Sequence, residues 1–252
     1  MNRMKDKVVI VTGAAQGIGA AYARALASEG ARIVLADILD GTAVAREIET
    51  AGGQALAIKT NVSDEASVAA MAAATVERFG RIDVLINNAA IYASLELKPF
   101  EQIDLAEWDR VMSVNVRGPF VCARAVVPYM KRNGYGRIVN ISSGTPFKGT
   151  PNMLHYVTSK GAILALTRAL ARETGDYGIC VNTLAPGLVL SEGVIENEEM
   201  RDRLTGPVIA SRAIKRDQMP EDLIAPLLFL ASDDSAFMTG ETLVIDGGSV
   251  MH

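Results

Sequence analysis

Near its start the chain carries an apolar run, Val8-Val9-Ile10-Val11, that breaks into Thr12-Gly13-Ala14-Ala15-Gln16-Gly17-Ile18-Gly19 and then into a helix-forming stretch over residues 18–29. Strand, glycine-rich turn and helix in that order commit the chain to α/β architecture. The turn aims backbone N–H groups and the positive end of a helix at one point, with glycine wherever a Cβ would block a close approach. A pyrophosphate fits such a point, so a dinucleotide is the implied guest. The spacing Gly-x3-Gly-x-Gly is a variant of the general Gly-x-Gly-x-x-Gly turn, and a plain strand-to-helix connection is the competing reading.

The next apolar run, residues 32–36, ends in Asp37, about twenty residues beyond the turn. An acidic side chain there accepts hydrogen bonds from adenosine ribose hydroxyls and repels a 2′-phosphate, which Ala14, Ala15 and Gln16 supply no cation to neutralise. NAD is therefore expected over NADP. Asp37-Ile38-Leu39-Asp40-Gly41 is also a credible turn before the next helix.

Strand-like runs at residues 8–11, 32–36, 55–59, 84–86, 137–141, 180–184 and 243–245 alternate with helical stretches at 18–29, 43–51, 65–79, 107–133, 153–174 and 220–231. That alternation predicts βαβ units in an α/β, Rossmann-like, doubly wound parallel sheet with helices on both faces. No linker divides the 252 residues, so one dinucleotide-binding and catalytic domain over 1–252 is expected.

No apolar stretch approaches the roughly twenty residues a membrane span needs. A net charge of −4 argues against a nucleic-acid surface. Cys122 and Cys180 lack metal-ligand spacing and read as buried thiols, and no metal site is expected. Residues 1–7 show no hydrophobic signal core, which fits the cytoplasm.

In His155-Tyr156-Val157-Thr158-Ser159-Lys160-Gly161, Tyr156 and Lys160 lie four apart and share one helical face. A cation beside a phenol favours the phenolate, so Tyr156 becomes a proton acceptor for an alcohol. Alone, the pair is also compatible with a half-buried ring beside a solvated amine.

Taken together, Thr12 to Gly19, Asn87-Asn88-Ala89-Ala90, Asn115, Ser143, Tyr156 to Lys160 and Pro186-Gly187 closely resemble the short-chain dehydrogenase/reductase family over essentially the whole chain. The resemblance implies Asn115, Ser143, Tyr156 and Lys160 as catalytic residues. It makes Asn115 a break in a long helix that holds a water linking Lys160 to solvent. It implies cofactor contacts from Gly13, Gln16, Gly17, Ile18, Gly19, Asp37, Asn61, Val62, Asn88, Ala89, Ala90, Tyr156, Lys160, Pro186, Gly187, Val189 and Ser191, with Asn88 mainly bonding backbone. Three residues depart from the family pattern: Asn61 for Asp, Ala90 for Gly, and Ser191 for Thr.

The resemblance places the substrate under a lid at about 188–215 that includes Met200 and Leu204. Tyr92, Thr145, Phe147, Met153 and Leu188 would line the pocket and suit a ring-bearing or compact apolar alcohol. His155 and Lys148 either meet an acidic or hydroxylated substrate or stay solvated. Among family members the motifs look like NAD-dependent enzymes oxidising ring-bearing alcohols. An NADPH-dependent 3-oxoacyl carrier-protein reductase, a sugar dehydrogenase and a catalytically silent dinucleotide sensor or scaffold are the alternatives. A homotetramer built on the helices at 107–133 and 153–174 and on the C-terminal segment is the family's usual assembly, with Ala162, Ala165, Ala169 and Ala171 facing either a neighbour or the chain's own sheet.

Overall fold

The computed structural model describes residues 2–251, with the side chains of Glu199 and Met200 excluded. The ends of the expected 1–252 domain, Met1 and His252, and the pocket role expected of Met200 thus lie outside the described residues. In chain order the elements are β1 (Val8–Thr12), α1 (Gly17–Ser28), β2 (Arg32–Asp37), α2 (Thr42–Thr50), β3 (Gln54–Lys59), α3 (Glu65–Phe79), β4 (Val84–Asn87), α4 (Leu105–Met112), α5 (Gly118–Asn133), β5 (Gly136–Ile141) and α6 (Thr145–Lys148). Next come α7 (Leu154–Thr174), β6 (Ile179–Pro186), α8 (Glu192–Glu196), α9 (Glu198–Ser211), α10 (Ile224–Ala231) and β7 (Thr242–Ile245).

The strands form one sheet in the order β3-β2-β1-β4-β5-β6-β7. Every pairing is parallel. Winding reverses between β1 and β4, which opens a crevice at the carboxyl ends of those strands.

Both faces of the sheet are covered, which is why β1 is apolar at every position but its last. Val9 and Val11 pack in one layer with Tyr22, Leu26 and Leu227. Val8 and Ile10 point the other way, into a layer with Met71, Cys122, Val126 and Met130. Local chemistry sets the helix ends. Asp64 caps α3 by accepting from the Ser67 N–H at 3.0 Å, and Gly80, at φ 81°, ends it.

The helix expected over 107–133 is two helices, α4 and α5, joined by a π turn at Ser113–Arg117 that contains Asn115. The helix expected from Pro220 opens as a 3-10 turn, Pro220–Leu223. Helices α6, α8 and α9 lie where only loop or lid was expected. A single turn leaves no periodic signal, and Gly206 and Pro207 inside α9 read as breakers.

Cys122 is buried, and burial pushes its thiol up to about 12. Cys180 is only half-buried, contrary to expectation, because it stands at the amino end of β6, with its thiol at the Ala236 carbonyl. Ala171 packs into the chain's own core, whereas Ala165 and Ala169 are exposed. Among the described residues no helix is long and apolar enough to cross a membrane, and no group of three acidic, His or Cys side chains is placed to hold a metal.

Candidate active site

The crevice is a cavity of about 740 Å³. Its floor is the turn after β1, whose glycines are required by close approach. A Cβ on Gly13 would lie 2.8 Å from the Ala89 Cα, and one on Gly19 only 2.0 Å from the Gly13 carbonyl oxygen. Asn88 clamps this turn by donating from Nδ2 to the carbonyls of Thr12 and Gly13, at 2.9 and 3.0 Å. The Thr12 hydroxyl accepts from the N–H groups of Asn88 and Ala89 in return.

Gly17 (φ 57°) faces open space, and its N–H donates to Glu192 Oε2 at 3.3 Å. A carboxylate thus sits at the amino end of α1, where the helix dipole favours negative charge. A cradle closed to side chains, with an N–H that takes an anion, fits the diphosphate of a dinucleotide.

Asp37, at the end of β2, lines the cavity, and its carboxylate accepts from the N–H groups of Ala15 at 2.9 Å and Leu39 at 3.0 Å. The turn reading and the cavity reading of this residue therefore hold together. Asn61 and Val62 line the same end. The Asn61 side-chain oxygen Oδ1 accepts from the N–H and hydroxyl of Ser63, which fixes the amide. Gln16, Ile18, Ala89, Ala90, Pro186, Gly187, Val189 and Ser191 also line the cavity.

At the crevice centre, α7 brings Tyr156 and Lys160 against the end of β5. The Tyr156 phenol is hydrogen-bonded to Ser143. The Ser143 hydroxyl also accepts from the Thr145 N–H at 3.2 Å. Lys160 Nζ lies 5.7 Å from the Tyr156 ring centroid and donates to the Ile141 carbonyl at 2.9 Å. Ser142, just past β5, donates to the Lys160 carbonyl at 2.7 Å and so ties strand to helix.

Burial dominates the electrostatics. It draws Lys160 down to about 8 and pushes Tyr156 well above the ordinary phenol value, with Tyr92 adding to the rise and the Ser143 bond opposing it. The expectation that Lys160 by itself favours the Tyr156 phenolate is thus not met by these side chains alone. Tyr92 stacks on Tyr156 with centroids 4.7 Å apart and is itself pushed up to about 12.

Asn115 is buried behind this group rather than on the cavity wall. It accepts from the Ile91 N–H at 2.8 Å and donates to the Ile91 carbonyl and the Ser159 hydroxyl, both at 3.1 Å. Ser159 in turn donates to the Tyr156 carbonyl at 2.7 Å. The π turn is what lets one asparagine reach both the loop after β4 and α7.

On the substrate side, Tyr92, Thr145, Met153 and Leu188 line the cavity with Leu204 and Val208 of α9. Phe147 does not line it, contrary to expectation: on the single turn of α6, Thr145 and Lys148 share the inward face and residue 147 is turned away. His155 corrects both readings offered for it. It is fully buried outside the cavity, with Nε2 3.3 Å from Glu107 Oε1, because its neighbour Tyr156 takes the inward face of α7. Lys98 completes that cluster at 2.9 Å from Glu107, whose carboxyl it holds below the usual range.

The supports below the site escaped sequence reasoning. Asn87 donates to Asn140 at 2.8 Å, Asn140 to Thr167 at 2.9 Å, and Thr183 to Thr167 at 2.8 Å. This buried ladder joins β4, β5, α7 and β6, and the available signal was polar residues inside apolar strand runs. Arg212, buried, reaches the Leu188 carbonyl at 2.7 Å. No pattern in the sequence marked it.

The family model described as Enoyl-(Acyl carrier protein) reductase matches residues 13–250. Short-chain reductase protein NovJ of Streptomyces niveus is 41% identical over 97% of this chain and 94% of its own. Cyclopentanol dehydrogenase of Comamonas testosteroni is 35% identical over 98% of each chain. A 3-oxoacyl-[acyl-carrier-protein] reductase of Synechocystis is 34% identical over the full length of both. Among solved structures, levodione reductase superposes with a TM-score of 0.91 at 36% identity, covering 98% of this chain and 99% of that one.

Proposed function

The chain belongs to the short-chain dehydrogenase/reductase family, and from that membership we propose that it is an NAD-dependent oxidoreductase acting on a secondary or ring-bearing alcohol or its carbonyl. The observation that carries this reading is the placement of Ser143, Tyr156 and Lys160 in one crevice with the glycine cradle and Asp37. A bound nicotinamide dinucleotide supplies the hydride acceptor or donor. Gly13, Gly17 and Gly19 would hold its diphosphate, Asp37 its adenosine ribose, Asn61 and Val62 its adenine, and Pro186, Gly187, Val189 and Ser191 its nicotinamide end.

The chain's own residues do the proton chemistry. Ser143 donates a hydrogen bond to the substrate oxygen and fixes it beside Tyr156. Tyr156 takes the hydroxyl proton during oxidation and returns one during reduction. Lys160 steadies the charge that develops on the phenol oxygen, and Asn115 holds the Ile91 loop and α7 in register behind it. Tyr92, Met153, Leu188, Leu204 and Val208 give the pocket apolar walls that suit a ring better than a polyol. The cyclopentanol dehydrogenase relative supports the same class.

An NADPH-dependent 3-oxoacyl carrier-protein reductase is the second reading, favoured by the Synechocystis relative and opposed by the Asp37 carboxylate. The protein is proposed to be one domain, cytoplasmic and homotetrameric, with the exposed apolar residues Phe120 and Leu154 on α5 and α7 available for assembly. The deciding experiment is steady-state reduction of NAD and of NADP with cyclopentanol, cyclohexanol and 1-phenylethanol, with Asp37→Ser beside the wild type. NAD preference that shrinks in Asp37→Ser is expected. Wild-type preference for NADP would overturn the role given to Asp37.

A further inference from the structure

The turn that follows Ser143 presents a second set of polar groups to the cavity, which the proton chemistry does not use. Thr145 and Lys148 lie three apart on α6 and both line the cavity. The Thr145 hydroxyl is buried and has no partner. Among the described residues Lys148 Nζ donates only to hydroxyls, those of Ser211 at the end of α9 and Ser249 in the C-terminal segment. No carboxylate lies within ion-pair distance of it among the described residues.

Burial draws Lys148 below its ordinary value, and the nearby Arg212 guanidinium acts the same way. Asp246 opposes them. Asp246 does not pair with it: Oδ1 accepts from the N–H groups of Gly248 and Ser249, and Oδ2 is buried behind Gly144 without a partner. Arg212 spends its Nη atoms on the carbonyls of Leu188 and Arg216. Lys148 and Thr145 therefore line the same cavity, with apolar Met153, Leu188 and Leu204 around them, and the one carboxylate lining it beside them, Asp246, is held by backbone N–H groups rather than paired with the ammonium.

We propose that Thr145 and Lys148 form a subsite for an anionic oxygen group on the substrate, a carboxylate or phosphate distal to the reacting carbinol carbon. Resting on the reading of the crevice as an alcohol dehydrogenase site, this narrows the substrate to a ring-bearing alcohol that carries an acid. Lys148 is then a specificity-determining residue whose charge selects the substrate, while Ser211 and Ser249 aim its ammonium from the lid and the C-terminal segment.

The test is a matched set: 3-hydroxycyclohexane-1-carboxylate, its isosteric carboxamide, and the phosphate monoester of cyclohexane-1,3-diol. Wild type should favour an acid over the amide by about tenfold or more in kcat/KM, as a charge-assisted hydrogen bond implies. Which acid is favoured tells carboxylate from phosphate. Lys148→Gln should lower that ratio to near unity, Lys148→Arg should restore most of it, and Thr145→Val should reduce it several-fold. A lysine that only closes the lid lowers acid and amide together and leaves the ratio unchanged, which overturns the proposal.

Binding separates this from failure of the dehydrogenase reading. Cyclohexanecarboxylate should displace solvent from the NADH-loaded protein, read as a change in NADH fluorescence, with Lys148→Gln weakening it at least tenfold and the neutral carboxamide binding poorly. That result supports the subsite even if no alcohol in the set is oxidised. Equal affinity for carboxylate and carboxamide sinks it.

Discussion

The two ends of the crevice are built differently. The cofactor end rests on strands buried on both faces and on a turn where a single methyl group meets backbone at 2.0 Å, so its shape is fixed by atoms that cannot move. The substrate end is walled by α6, α8 and α9, short or glycine- and proline-interrupted helices whose cavity residues Leu204 and Val208 are only half-buried. Geometry that serves one common guest is held rigidly. Geometry that selects a particular guest is held by side chains that exchange cheaply, which places specificity on the lid and the chemistry on the sheet.

The contrast breaks most visibly at the chemistry. Tyr156→Phe should cut turnover by about a hundredfold to ten-thousandfold, with NADH affinity kept, as read by steady-state rates beside fluorescence titration. Turnover near wild type would remove Tyr156 from the proton path. Gly19→Ala comes next, because backbone rather than a flexible side chain receives the new methyl. Loss of about 3 kcal/mol or more of stability, or loss of NADH binding with the fold retained, is expected from denaturation and titration. A neutral outcome would show that the cradle yields.

Lys160 offers a pH signature for the rigid end. Its folded value, drawn to about 8 by burial, lies below the unfolded value near 10.4. Between those values the unfolded chain binds more protons, so this group's contribution to cofactor-free stability rises with pH from about 8 to about 10.4. Lys160→Met should therefore gain on the wild type most at pH 7 and lose that advantage as pH climbs, read as the difference in Tm across the range. A difference that does not change with pH would place the ammonium in solvent.

At the lid the effects should be smaller. Leu204→Ala should move KM several-fold while costing about 1 kcal/mol or less of stability, since its side chain is only half-buried. A large fall in Tm would make the lid part of the core. Smallest is Glu192→Gln. The Glu192 carboxylate occupies the Gly17 N–H that a diphosphate needs, so removing its charge should tighten NADH binding by about two- to fivefold, an effect that salt erodes. Weaker binding in Glu192→Gln would mean that the carboxylate helps the cofactor rather than competing with it.

The order of the strands along the chain, the glycine turn, Asp37 and the Tyr156–Lys160 spacing were legible in the sequence because each depends on neighbours within a turn or a strand. Apolar runs at period 2, stretches at period 3.6 and residues four apart on a helix are local facts. The break at Asn115 was legible only through resemblance, and its cause, a side chain reaching both Ile91 and Ser159, is not local.

Only the folded chain decided which polar side chains lie dry. It buried His155 against Glu107, turned Phe147 out and Lys148 in, drew Lys160 down while raising Tyr156, and linked Asn87, Asn140, Thr167 and Thr183 into one ladder. The physical reason is common to all four. Burial and partner choice arise from segments tens of residues apart, brought together by crossovers of the sheet, and a periodic pattern carries no information about what stands opposite.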